Sequence, residues 1–173
     1  MTSQEHKKMK TTQLCYASKR IESEYTLLED LRDILVQARE YNNKNNICGV
    51  LYYAHGYYFQ CIQGSFTSIM TLYNKILNDN RHGEIKLVQH KSIEKKCFEE
   101  WSMKYVQPDT KLNNFFIRAD INCFEPSNIP EKVIDEFLDI ILQNSKSNTK
   151  THTNTKNQTS KQGFMSTGYS GYF

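Results

Sequence analysis

The sequence lacks a charged leader followed by an apolar stretch, and it has no apolar run long enough to cross a bilayer. A cytoplasmic protein is therefore expected. No C-x-x-C pair occurs among the cysteines at 15, 48, 61, 97 and 123, and the histidines are scattered. An odd cysteine set without paired spacing argues against both a disulfide framework and a zinc site. A glycine-rich phosphate cradle is missing, and so is a nucleophile placed beside a base, so no enzyme is expected.

Basic charge is scarce in the part that can fold. The 173 residues carry a net charge of +3, but Lys146, Lys150, Lys156 and Lys161 lie in a stretch with no acid that opens at Ser145. The first 144 residues hold 18 basic against 19 acidic side chains, or −1, which is not the body of a nucleic-acid-binding protein. From Ser145 onward Ser, Thr, Asn, Lys and Gln dominate until a glycine-spaced cluster of Phe164, Tyr169, Tyr172 and Phe173. Such a composition buries too little apolar surface to fold and reads as a flexible polar tail over 145–173.

What is present begins with a strand over 13–18. Thr26 and Glu29 then match a capping box, and Leu27, Leu28, Leu31, Ile34, Leu35 and Ala38 follow at helical spacing, predicting a helix to about Tyr41 that the Asn42–Asn46 cluster stops. The β-rich runs 47–53 and 57–63 flank Ala54-His55-Gly56, a loop of hairpin length. Phe66, Ile69, Leu72, Tyr73, Ile76 and Leu77 predict a second amphipathic helix closed by Asn78-Asp79-Asn80. Strands are expected at about 85–93 and 100–106. After Pro108 the pattern weakens, until a further helix opens at Pro130 with an apolar face that needs cover. The order β-α-β-β-α-β-β predicts an α+β, ferredoxin-like sandwich: a mostly antiparallel five-stranded sheet, two helices on one face, and a C-terminal helical extension.

Four residues stand out against this frame. Strand side chains alternate, so Leu14, Tyr16 and Ser18 share a face, as do Tyr58, Gln60 and Ile62, and Trp101 and Met103. A phenol and a carboxamide are thus threaded onto faces that otherwise read as core, where each needs a hydrogen-bond partner in the other, in the backbone or in a ligand.

In the order Leu14-Cys15-Tyr16-Ala17-Ser18, Asn42 before Ile47-Cys48-Gly49-Val50-Leu51-Tyr52-Tyr53, Gly56-Tyr57-Tyr58-Phe59-Gln60, Asp79-Asn80-Arg81-His82 and Phe98-Glu99-Glu100-Trp101-Ser102-Met103, the chain resembles the BLUF domain, a flavin-binding blue-light sensor module. The resemblance spans about 13–106, and the lack of an appended catalytic domain is similar to the short members. Cys48 stands where the family usually has Thr, Gln63 where Glu is common, and Tyr41 where Asn or His is frequent.

The resemblance implies a flavin-binding domain over 1–108 and a helical extension over 109–144. It implies FAD held non-covalently between the two helices, with Asn42 on the polar edge of the ring and Ile34 and Ile76 on its faces. Ser18, Arg81 and His82 complete the cofactor contacts. Tyr16 and Gln60 would carry the photochemistry: light drives an electron and a proton from Tyr16 to the flavin, and Gln60 changes its hydrogen bonds. Trp101 and Met103 would pass the change to a downstream signalling protein, such as a transcription regulator, and the short members' habit implies a homo-oligomer. Neither membrane nor direct nucleic-acid binding is expected. The rival is an RNA-binding module of the RRM type, with Tyr52, Tyr53, Tyr57 and Phe59 as stacking platforms, although its aromatic signature is missing. Acylphosphatase-like enzymes share the layout as well.

Overall fold

The computed structural model describes residues 10–22, 25–98, 101–104, 110–121, 125 and 128–149. Cys123, the ends of the strand expected over 100–106 and the aromatic cluster near the C-terminus lie outside them. The elements are β1 (Thr11–Arg20), α1 (Leu27–Lys44), β2 (Cys48–Ala54), β3 (Tyr57–Gly64), α2 (Phe66–Leu77), β4 (His82–Ile93), β5 (Trp101–Lys104), α3 (Thr110–Arg118) and α4 (Ile134–Thr149). One sheet in the order β4-β1-β3-β2-β5 holds all five strands. Its pairs are antiparallel except β2 with β5, which run parallel.

The local rules account for most of these boundaries. Thr26 caps α1 in a complete capping box: its backbone N–H donates to Glu29 Oε2 at 2.7 Å, and the Glu29 N–H donates to the Thr26 hydroxyl. The asparagine cluster ends α1 later than its composition suggests, because Asn42 and Asn43 stay helical and Asn45 forms the C-cap. Between β2 and β3, His55 and Gly56 have φ of 50° and 84°, both positive, as a two-residue turn matching strand twist requires. Gly49 permits close pairing of β2 with β3, since a Cβ there would lie 2.1 Å from the Cys61 carbonyl oxygen.

Alternation divides the buried residues into two cores, one on each face. On the front, Leu14, Tyr16, Leu51, Tyr58 and Ile62 pack with Leu31 and Ile34 of α1 and Ile69, Tyr73 and Ile76 of α2. On the back, Cys15, Val50, Tyr52, Phe59 and Cys61 meet Leu112 and Phe115 of α3 and Ile134, Phe137 and Ile141 of α4. The apolar face of the helix after Pro130 is thus satisfied by the sheet of its own chain. α4 continues to Thr149, into the polar stretch that opens at Ser145. α3 was not foreseen, because Leu112, Phe115 and Phe116 are too few in nine residues to establish a period.

Phe137 is the keystone of the back core. It is fully buried, stacks on Phe115 at 5.4 Å, and meets Phe59 and Tyr52 edge-on at 5.0 and 5.8 Å. Phe137→Ala is expected to lower the unfolding free energy by about 3–5 kcal/mol in a urea titration, whereas Ile117→Ala, at a residue 76% exposed, changes it by less than about 0.5 kcal/mol.

Candidate functional site

A cavity of 260 Å³ opens between α1 and α2 on the front face of the sheet. Its floor comes from strands: Tyr16 of β1 and Gln60 of β3 are direct cross-strand partners, and the Tyr16 hydroxyl donates to Gln60 Oε1. Its walls are helical, with Ile34 and Asn42 from α1 and Leu72 and Ile76 from α2. Exposed Gln37 and Lys75 stand at the rim. The register shifts between β1 and β4 fall on either side of Tyr16, where an irregular ladder re-aims side chains.

Polar groups around the cavity fall into two kinds. Arg81 is committed to Asp79, donating to both carboxylate oxygens, and also reaches Gln37 Oε1 at 3.1 Å. Burial alone would raise the Asp79 pKa, but the hydrogen bonds from Arg81 outweigh it and hold that carboxyl below its usual range. His82 Nδ1 lies 2.8 Å from Ser18 Oγ, with its ring edge-on to Tyr16. Asn42 is the other kind: its side chain is wholly buried, and neither Nδ2 nor Oδ1 has a partner. Tyr58 also carries an unpaired buried hydroxyl, its pKa pushed up to about 12 chiefly by burial, but it does not line this cavity.

Electrostatics keep the floor neutral. Burial, reinforced by Asp79, pushes the Tyr16 phenol well above its ordinary pKa, so it stays protonated and able to donate to Gln60. Burial also pulls His82 down to about 4, with Arg81 lowering it further and Asp79 opposing.

Of the residues singled out in the sequence, Tyr16, Ile34, Asn42, Gln60, Ile76, Arg81 and His82 all line the cavity, and Ser18 sits behind it on His82. The backbone register sets Trp101 opposite Gly49 and Met103 opposite Leu51, and Leu51 is in turn the partner of Gln60. Met103 therefore stands in the cross-strand row of Gln60 and Tyr16, with β2 between. Sequence reasoning missed Gln37, Leu72 and Lys75; Lys75 places its ammonium 3.9 Å from the centre of the Tyr41 ring, across the gap between the helices. The α2 helical period pointed to Leu72, but no local signal marks an exposed Gln or Lys as a rim residue. Tyr52 and Phe59 are buried under Phe137, which removes them as exposed stacking platforms for RNA.

A cavity with apolar helical walls, a phenol–carboxamide pair on its floor and one unsatisfied buried amide defines a binding module for a largely apolar ligand with polar edges. The match to known proteins agrees. A family model described as sensors of blue-light using FAD matches residues 11–104, and the chain belongs to this BLUF family of flavin-binding blue-light sensors. A solved structure described as the BlsA ground state is 44% identical, with a TM-score of 0.71, and the match covers 76% of this chain and 87% of that one. The BlsA photo-activated state, also 44% identical, gives 0.72 over 76% and 94% of the two chains. A bacterial light-regulated adenylyl cyclase is 27% identical at a TM-score of 0.53, matching 81% of this chain but only 36% of its own. A search of curated proteins finds no match. Among the described residues no helix is long and apolar enough to cross a membrane.

The flavin fits this site on the strength of Asn42, whose unpaired donor and acceptor face a cavity that protein groups leave open. Acid should weaken the fold through His82. Unfolded, the imidazole binds its proton near the ordinary value of 6.5, but folded only near 4, so between these pH values the unfolded state holds more protons and stability is lost as the pH is lowered. The loss from this residue is expected to reach about 3 kcal/mol by pH 4, and urea titrations of His82→Asn should lack that component.

Proposed function

We propose that the protein senses blue light through non-covalently bound FAD and passes the event to a downstream signalling protein in the cytoplasm, such as a transcription regulator. The observation that supports it best is the Tyr16 hydroxyl donating to Gln60 on the floor of a cavity whose wall carries the unpaired Asn42 amide. Bound flavin supplies the blue absorption and, when excited, an electron acceptor. Asn42 would satisfy its amide on the polar edge of the ring, and Ile34 and Ile76, which line the cavity, would flank it and exclude water. Ser18 holds His82 against Tyr16, and Arg81, fixed by Asp79, would serve the ribityl-phosphate side.

Tyr16 gives up an electron and its phenolic proton, then recovers both. Its raised pKa keeps the phenol neutral at the start, so the proton leaves only with the electron. Gln60 is the part that remembers: a carboxamide offers a donor and an acceptor, so it can turn or tautomerise while the phenol is altered and return to different hydrogen bonds. The result is a small red shift of the bound chromophore. Trp101 and Met103 on β5 carry the change toward the C-terminal region, without catalysis by this chain and without direct nucleic-acid or membrane contact. Assembly into homo-oligomers belongs to the proposal, through surface other than the apolar face of α4, which is already spent on the sheet.

Absorption spectra in the dark, directly after blue light and during recovery should show a flavin band that moves to the red and returns in wild type, and stays put in Gln60→Leu. A protein that remains colourless after reconstitution with FAD would overturn the reading. Asn42→Leu separates binding from folding. Losing the hydrogen bonds should weaken FAD binding about tenfold in a fluorescence titration, while the flavin-free variant, relieved of an unsatisfied buried amide worth about 1–3 kcal/mol, unfolds at no lower urea concentration than wild type.

A further inference from the structure

Three glutamines are buried on the back face of the sheet, opposite the cavity. Gln13, Gln63 and Gln89 are 2%, 0% and 5% exposed, amid Cys15, Cys61 and Phe59. Their side chains form one chain of hydrogen bonds. The Cys97 backbone N–H donates to Gln63 Oε1 at 2.8 Å, Gln63 Nε2 donates to Gln13 Oε1 at 2.6 Å, and Gln13 Nε2 donates to Gln89 Oε1 at 2.8 Å. Every amide points the same way, from the connection before β5 across β3 and β1 to β4. Head-to-tail amides polarise one another, and turning any one would set donor against donor in a site where an unsatisfied group is costly. The chain therefore changes as a unit.

Its position ties it to the photochemical pair. Gln13 and Gln63 are cross-strand partners in β1 and β3; three residues along the same two strands, Tyr16 and Gln60 are partners on the other face. Movement of β1 against β3 that alters one separation alters both. At its far end the chain grips Cys97, an exposed residue four positions before Trp101. The same connection is pinned by Lys96, whose ammonium donates to the Asn46 carbonyl at 2.7 Å.

We propose that Gln63 is a positioning residue that links the Tyr16–Gln60 strand pair to β5 through this back-face amide chain, holding the Cys97 N–H in the dark and releasing it in the light. This rests on the light-sensor reading above. The test is hydrogen exchange at the Cys97 amide of the full chain with FAD bound, dark and under blue light, with the absorption shift recorded on the same sample. In wild type the exchange should run about fivefold faster in the light, the factor carried by one net hydrogen bond. Gln63→Met should exchange fast in both conditions yet keep its red shift. Gln63→Glu should restore the difference, because burial keeps the carboxyl protonated, able to accept from Cys97 and donate to Gln13. Should Gln63→Met not fold, Gln89→Met carries the test by shortening the chain at its other end, and reduced dark protection at Cys97 is expected. A wild-type red shift with equal Cys97 exchange in light and dark overturns the proposal, as does a light–dark difference that survives in Gln63→Met or dark protection unchanged in Gln89→Met. A wild type with no red shift overturns the sensor reading itself.

Discussion

Antiparallel pairing of β1 with β3 sets Tyr16 against Gln60 on one face of the sheet and Gln13 against Gln63 on the other, and most of the molecule is arranged around that register. Because strand side chains alternate, a slip of one residue would carry the phenol to the back core and Cys15 or Ala17 to the cavity floor. The register is held from several sides. The two-residue turn at His55 and Gly56 fixes β2 against β3, and Gly49 lets the two strands approach. The hydroxyl and amide then meet without help from any loop.

The polar economy of the molecule separates structure from site. Arg20 and Asp30 are both largely buried, and they satisfy each other at 2.6 Å while Arg20 also donates to the Tyr25 carbonyl. The Asp79–Arg81 pair is likewise satisfied within the protein, with Arg81 donating also to Gln37. Breaking such a pair leaves an uncompensated charge, so both hold geometry first. Asn42 is different: its backbone carbonyl accepts from Ile47 N–H to close the end of α1, which fixes where the carboxamide sits, while the carboxamide itself goes unsatisfied. A fold that tolerates such a group at its binding cavity carries a local penalty that binding can relieve.

Much of this was legible in the chain because it rests on short-range rules. The capping box at Thr26, the hairpin at His55-Gly56 and the helical period from Phe66 each act within a few residues, and each holds in the structure. The floor of the cavity was legible for a different reason: Tyr16 and Gln60 are polar side chains at core parity, an anomaly visible without coordinates. What could not be read depends on contacts distant in sequence. Lys75 becomes a rim residue only when α2 packs against α1, α3 exists because Leu112 and Phe115 find the back of a sheet built far upstream, and the chain of Gln13, Gln63 and Gln89 joins residues up to 76 positions apart. Gln63 looked like a departure from a family pattern, and its partners explain what a carboxamide can do there.

Two structures border the strand that carries Gln60, and their energies decide which can respond to it. Phe59, the preceding residue, points to the back and lies under Phe137, so any displacement of β3 presses on α4. Opening that contact would forfeit the packing of a buried phenylalanine, about 3–5 kcal/mol, whereas rearranging a hydrogen bond is worth about 0.5–1.5 kcal/mol net. A closely packed core of this kind moves as a body or not at all. β5 offers less resistance: among the described residues it spans four positions at the edge of the sheet, and its pairing to β2 is parallel. One or two hydrogen bonds are commensurate with what holds such a strand in place. On the proposed mechanism, a change born at Gln60 would leave α3 and α4 docked on the sheet and act on β5 and the connection at Cys97, where the energy available matches the energy required.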